Sequence, residues 1–222
     1  MAAYIIMALI AYAIGSVNFS VIISRKMAGF DVREKGSGNA GSTNVLRTVG
    51  KKAAILTLVC DILKGVVAIL VSILVGKLAK DVNPAILVEI AALCVVIGHT
   101  YPIFFEFRGG KGVATSLGII LLVNWKIGLI CLVFALTLMV LTRMVSLGSI
   151  SAAILFAVLT IFINDSYIVQ YDFSFVVFGI LLAALVVFNH RTNLKRIIAG
   201  NENKLNFKKK DSSDNKKEEE KK

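Results

Sequence analysis

A series of long apolar stretches limits what this chain can become: residues 2–24, 53–76, 84–105, 113–141, 145–163 and 173–188, joined by short polar connections. The hydrocarbon core of a bilayer is about 30 Å thick and takes roughly 20 helical residues to cross. Inside it every backbone N–H and C=O must be satisfied within the segment, so such stretches are expected to be helices. With 57% of 222 residues hydrophobic, a water-soluble fold would have to expose large apolar patches. The expected fold class is therefore all-α, a polytopic membrane helix bundle. The first stretch starts at Met1 without a basic leader, and Gly15, Ser16 and Asn18 run on into more apolar residues with no convincing cleavage site. It reads as a retained helix, not a signal peptide.

Charge placement orients the bundle. The net charge of +11 is concentrated in two places. One is the connection at residues 25–52, with Arg25, Lys26, Arg33, Lys35, Arg47, Lys51 and Lys52; the other is the C-terminal segment from Arg191 onward. The connector at 164–172 has two acids and no basic residue. The positive-inside rule puts both basic segments in the cytoplasm, which requires an even number of crossings between them. Treating 113–141 as one helix gives an odd number. Splitting it at Asn124-Trp125-Lys126 restores parity and predicts seven transmembrane helices, with the N-terminus outside and the C-terminus cytoplasmic. Residues 1–204 then form one membrane domain, and 205–222, low in complexity and densely charged, a disordered tail. Three polar segments, 36–52, 105–112 and 189–204, fall on the same cytoplasmic face.

These segments hold the residues capable of chemistry. The first contains Gly36-Ser37-Gly38-Asn39-Ala40-Gly41-Ser42-Thr43-Asn44 and then Arg47. Glycines permit positive φ and close backbone approach, successive N–H groups can form a nest for an anion, and Arg47 can contact phosphate bidentately. A flexible turn with a helix cap at Ser42, Thr43 or Asn44 is the alternative. In the second, Gly109-Gly110-Lys111-Gly112 precedes an apolar helix, where free N–H groups and the helix dipole coincide with a lysine; Arg108 and Lys111 could equally be juxtamembrane anchors. The spacing is not that of a P-loop. Pro102 is expected to bend or end the preceding helix, with His99 near that end serving in packing or in support. In the third, His190 and Asn193 share a face if the helix continues, with Arg196 near the same stripe. Asp61 and Lys64, inside an apolar stretch, can pair, in function or as a clamp between helices. Cys60, Cys94 and Cys131 lack the paired spacing of a zinc site or disulfide framework. Neither a metal nor a cofactor is expected, and nothing suggests nucleic acid as a partner.

In combination, Ser37-Gly38-Asn39-Ala40-Gly41-Ser42-Thr43-Asn44, Gly109-Gly110-Lys111-Gly112-Val113-Ala114-Thr115 and His190-Arg191-Thr192-Asn193 resemble the PlsY family of bacterial acyl-phosphate:glycerol-3-phosphate acyltransferases. The resemblance extends from Gly15 to Lys204. It implies a seven-helix enzyme of the bacterial cytoplasmic membrane with its active site on the cytoplasmic side. Such an enzyme moves a fatty acyl group from acyl phosphate to the 1-hydroxyl of glycerol 3-phosphate, giving lysophosphatidate and phosphate in phospholipid synthesis. It works among membrane lipids and depends on a soluble enzyme that makes the acyl phosphate. Carried over by motif, Ser37, Arg47, Lys111, His190 and Asn193 would bind glycerol 3-phosphate, with Ser37, Lys111 and His190 at the catalytic centre. Gly38, Asn39, Gly41, Thr43, Asn44, Gly109, Gly110 and Thr115 would hold the acyl phosphate. Ser42 stands where the family usually has Ala, and Arg108 where it often has Lys. Acyl phosphate is already activated, so positioning can do much of the work, and no Gly-x-Ser-x-Gly elbow is present. The proton acceptor stays open between His190 and the substrate's own phosphate. A transporter of organic phosphates and a scaffold for soluble lipid enzymes are the competing readings.

Overall fold

The computed structural model describes residues 1–79, 82–163 and 173–205. The acidic connector at 164–172 and nearly all of the expected disordered tail lie outside the described residues. Among the described residues every regular element is helical: α1 (Ala2–Gly15), α2 (Phe19–Ala28), α3 (Ser42–Thr48), α4 (Lys51–Leu78), α5 (Pro84–Thr100), α6 (Val113–Val123), α7 (Trp125–Thr142), α8 (Val145–Phe162), α9 (Phe173–Asn189) and α10 (Arg191–Ile198). Short 3-10 turns lie at Val32–Glu34 and Ile103–Phe105.

Among the described residues, five helical stretches are long and apolar enough to cross a bilayer: α1 with α2, α4, α5 with the turn after it, α7 and α8. A sixth appears if α9 and α10, bent by 64° at His190, are one span. The 113–141 stretch divides at Asn124. Helix α6 stops at Val123, and the Asn124 side chain caps α7 by accepting the Ile127 N–H at 3.1 Å. At 11 residues, α6 is well short of the roughly 20 that a full crossing takes.

The first stretch, read as one uninterrupted helix, breaks at Val17. Ser16 Oγ donates back to the Tyr12 carbonyl at 2.8 Å, and Asn18 Oδ1 accepts the Val21 N–H at 3.3 Å as the cap of α2. Asparagine is a strong N-cap because its side chain substitutes for a missing helix acceptor. Pro102 behaves as expected: α5 ends at Thr100, and Pro102 opens the turn that follows.

Packing follows membrane logic. On α4 the large apolar residues Leu56, Val59, Leu63, Val67, Leu70 and Leu74 are exposed, whereas Ala53, Thr57, Asp61, Lys64, Gly65, Ala68 and Ser72 are buried. Lipid tails are as apolar as leucine, so helices associate through small residues and polar contacts. Helices α1 and α5 meet at Gly15 and Gly98, where an added methyl would overlap the Val95 and Tyr12 carbonyl oxygens. Toward α8 and α9 the core is bulkier. Phe156, Phe175 and Phe178 pack with ring centroids 5.9–6.4 Å apart.

Candidate active site

The first polar segment is shaped by a buried asparagine. Asn44 Nδ2 donates to the Val32 and Lys35 carbonyls at 2.9 and 3.0 Å, and its Oδ1 accepts the Ser37 N–H at 2.9 Å. With the side chain 1% exposed, these bonds bend the loop so that Gly38 (φ 71°) and Ser37 lie on its exposed rim. Gly36 packs against Asn44 and has no room for a side chain. Asn39, Gly41 and Thr43 are half-buried beside the start of α3, and Arg47 is exposed at its end. The polar atoms of Asn44 are thus spent on the loop.

The second segment lies against the first. Gly109 N–H donates to the Thr100 carbonyl at 3.0 Å, and Gly110 N–H to the His99 carbonyl at 3.1 Å. The Gly109 carbonyl in turn accepts the Ala40 N–H at 3.4 Å. A methyl on Gly110 would overlap His99 Nε2, so both glycines are required for close approach. Their N–H groups are engaged by protein carbonyls, which differs from the expectation that they face an anion. Backbone donors are also offered by the first turn of α6, entered through Gly112 at φ 84°, whose leading N–H groups have no intrahelical acceptor. Thr115, in that turn, is fully buried, and its hydroxyl has no partner among the described residues. Its carbonyl faces Gly65 of α4.

Arg33 locks these two loops together. Its guanidinium donates to the Phe105 carbonyl at 2.7 Å and pairs with Asp31 at 2.9 Å. Burial alone would raise the Asp31 carboxyl, but hydrogen bonds from Arg33, its charge and a bond from Arg25 outweigh this and hold it at about 2.

The third segment closes on the second through a hydrogen bond from Lys111 Nζ to Asn193 Oδ1. Asn193 Nδ2 donates to Glu202 Oε1 at 2.7 Å, Arg196 Nε to Glu202 Oε2 at 2.9 Å, and Ser146 Oγ of α8 to Glu202 Oε1 at 2.9 Å. The Leu205 N–H reaches the Arg143 carbonyl at 2.7 Å, which holds the segment after α10 against the α7–α8 turn. Burial is the main reason the Lys111 amine falls to about 8; Arg196 and Arg47 push the same way, and Glu202 opposes them.

The helix does not run straight through His190: it bends there, and His190 is the N-cap residue of α10. Its ring is nevertheless buried with Asn193. His190 Nδ1 lies 2.8 Å from the Val186 carbonyl. A carbonyl can only accept, so Nδ1 carries the proton and Nε2 offers a lone pair. Burial first, then the charge of Lys111, lowers this imidazole to about 4, against smaller opposing effects of Val186 and Glu202. His190 is therefore neutral at physiological pH.

The structure brings together Lys111, Asn193, His190, Arg196 and Glu202, with the Gly36–Gly41 loop joined to them through Ala40 and Gly109. Among the described residues no direct hydrogen bond links Ser37 or Arg47 to Lys111, His190 or Asn193, although Arg47 is near enough to act on Lys111 electrostatically. Sequence reasoning assigned no role to Glu202, Ser146, Asp31 or the Arg33 clamp. The Asp-x-Arg spacing at residues 31–33 was the available local signal; Ser146 and Glu202 are 56 residues apart and offered none. No cluster of three or more potential metal ligands occurs among the described residues.

Comparison with known proteins places this geometry. A family profile described as glycerol-3-phosphate acyltransferase matches residues 5–200. The chain is 42% identical over 206 residues to the glycerol-3-phosphate acyltransferase of Clostridioides difficile (strain 630), covering 93% of this chain and 97% of that one. It is 44% identical over 202 residues to the enzyme of the same name from Thermoanaerobacter sp. (strain X514), covering 90% and 95%. Among solved structures it resembles PlsY (YgiH), an integral membrane glycerol 3-phosphate acyltransferase, in its glycerol 3-phosphate form. The TM-score is 0.80 at 34% identity, over 91% of this chain and 96% of that one. The lysophosphatidic acid form of PlsY aligns with a TM-score of 0.76 at 33% identity.

Proposed function

Because this chain belongs to the glycerol-3-phosphate acyltransferase family, we propose that it transfers a fatty acyl group from acyl phosphate to the 1-hydroxyl of glycerol 3-phosphate, giving lysophosphatidate and inorganic phosphate. The observation that carries the reading is the Lys111–Asn193–Glu202 network beside a neutral His190. It supplies cations for phosphate and a lone pair for a hydroxyl in one place.

In this proposal Lys111 and Arg47 bind the phosphate of glycerol 3-phosphate and Ser37 adds a hydroxyl. Asn193 acts chiefly by holding Lys111, since both ends of its amide are occupied. His190 Nε2 accepts the hydrogen bond of the attacking hydroxyl, a role its tautomer fits better than contact with an anion. The first turn of α6, with Asn39 and Thr43, faces the phosphoryl group of the donor, and Asn44, Gly109 and Gly110 hold the loops in shape. The hydroxyl oxygen bonds to the acyl carbon, the bond to phosphate breaks, and the departing phosphate takes the proton. Grouping cations at the interface reduces repulsion between two anionic substrates, and fixed donors stabilise the charge of the transition state.

The proposal includes the membrane arrangement. Counting α6 and α9 as crossings gives seven, with the N-terminus outside, the C-terminus inside and the three loops on the cytoplasmic face. The basic loops support that orientation. Acyl phosphate is a reactive mixed anhydride, so a soluble acyl-phosphate-forming enzyme is the expected source.

The deciding experiment offers purified protein in detergent glycerol 3-phosphate with acyl phosphate, acyl coenzyme A or acyl carrier protein thioester. Lysophosphatidate is expected from acyl phosphate alone. Product from a thioester and none from acyl phosphate overturns the donor assignment.

A further inference from the structure

Three neighbouring ionisable side chains near the polar loops lie outside the proposed chemistry and inside the membrane bundle. Asp61 and Lys64 of α4 have side chains 3% exposed and pair at 2.9 Å, and His99 of α5, 6% exposed, places Nδ1 3.5 Å from the same Asp61 oxygen. Lys64 Nζ also donates to the Val17 carbonyl at 2.9 Å, in the break between α1 and α2. Charges in the bilayer are expensive, and a well-packed apolar set stabilises a protein as well as a buried ion pair does. Their position bears on what they do.

His99 is the last residue but one of α5. Its carbonyl accepts the Gly110 N–H at 3.1 Å, and its Nε2 stands where a Gly110 side chain would go. Gly110 also packs against the Ala40 carbonyl on its other side. The next residue is Lys111. A continuous line of contacts therefore runs from the Val17 carbonyl through Lys64, Asp61 and the His99 ring to the backbone that presents Lys111. The Nε2–Cε1 edge of the ring lies against Gly110 while Nδ1 lies toward Asp61, so the rotamer that faces Asp61 is also the one that packs on Gly110.

We infer that Asp61, oriented by Lys64, fixes the His99 ring as a support beneath Gly110, and that the three are positioning residues for Lys111 in glycerol 3-phosphate binding. This rests on the acyltransferase reading. None of the three touches substrate. Their effect is on the placement of the Lys111 amine relative to Asn193.

The test is steady-state kinetics with acyl phosphate and glycerol 3-phosphate on purified wild type, His99→Leu, His99→Gln, Asp61→Asn and the Asp61→Asn/His99→Leu double variant, with thermal midpoints measured alongside. Displacing a charged donor should raise KM for glycerol 3-phosphate on the order of tenfold to a hundredfold in His99→Leu and Asp61→Asn. KM for acyl phosphate should change much less. His99→Gln, which keeps a polar group facing Asp61, should recover most of the loss, and the double variant should be no worse than the poorer single. If the glycerol 3-phosphate KM stays at the wild-type value while kcat or the midpoint falls, the network is only structural and the inference is wrong. Additive single effects also overturn it. If His99→Leu does not fold, His99→Gln and Asp61→Asn decide: a raised KM in Asp61→Asn with near-normal KM in His99→Gln supports the inference, and an unchanged KM in Asp61→Asn refutes it. An inactive wild type sinks the acyltransferase reading instead.

Discussion

Raising the pH should disable glycerol 3-phosphate capture through Lys111. Burial, with help from Arg196 and Arg47, brings this amine down to about 8, and only its protonated form attracts phosphate. About nine-tenths of it is charged at pH 7 and about one-tenth at pH 9, so kcat/KM for glycerol 3-phosphate should fall roughly tenfold over that interval. Because kcat/KM reports the free enzyme, the inflection belongs to the empty site. Lys111→Arg supplies the control: a guanidinium stays charged throughout, so the alkaline limb should vanish even though the fork fits Asn193 less well and lowers the plateau. The assay is lysophosphatidate formation from pH 6 to 10, with chemical hydrolysis of the acyl phosphate followed in parallel. A wild-type profile flat to pH 10, or an alkaline limb that persists unchanged in Lys111→Arg, would refute the reasoning.

Glu202→Gln keeps most of the shape around Asn193 but removes a carboxylate that favours the Lys111 charge, so the alkaline inflection should move to lower pH in the same assay. His190→Ala should raise KM for glycerol 3-phosphate proportionally more than it lowers kcat; lost turnover at unchanged affinity would instead make His190 the general base. Between pH 5 and 8 no inflection should trace to His190, whose imidazole charges only near 4. Asp31→Asn leaves the Arg33 guanidinium buried without its counter-charge, at a cost of roughly 3 kcal/mol, visible as a lower thermal midpoint in detergent. The sign with pH follows from the depressed carboxyl: its contribution is complete above the ordinary value of 3.8 and is lost as pH falls through about 2, so the Asn variant and wild type should converge in stability only in strong acid.

How much of this could be read from the chain depends on whether a feature is local. The apolar stretches follow from hydropathy read a few positions at a time, and the division at Asn124 from the polar Asn124-Trp125-Lys126 step together with the count of crossings that charge placement demands. The Asp61–Lys64 pair likewise follows from a spacing of three on one helical face. The break at Val17 was equally local but was masked by apolar residues on either side of Ser16 and Asn18. Contacts that cross the chain left no such trace. Nothing near Gly109 and Gly110 indicates that the carbonyls of Thr100 and His99 consume their N–H groups, because that depends on how the loop folds back over the end of α5. Asn44 reads as a ligand by residue type, yet a tight loop behind it claims its whole amide.

The charge balance of the site explains why an acid belongs in a centre proposed to take two anionic substrates. Arg47 and Arg196 both act on Lys111, and their repulsion adds to burial in working against the charge of that amine. Glu202, tied down by Ser146, Asn193 and Arg196, offsets part of that repulsion without being free to approach a phosphate. It also fixes the Asn193 amide so that its oxygen faces Lys111. Burial first, and then the charge of Lys111, keeps His190 neutral. A buried lysine held near the limit of its charge and a histidine kept uncharged are thus two results of one arrangement, and removing the Glu202 charge should lower the Lys111 amine further while leaving His190 neutral.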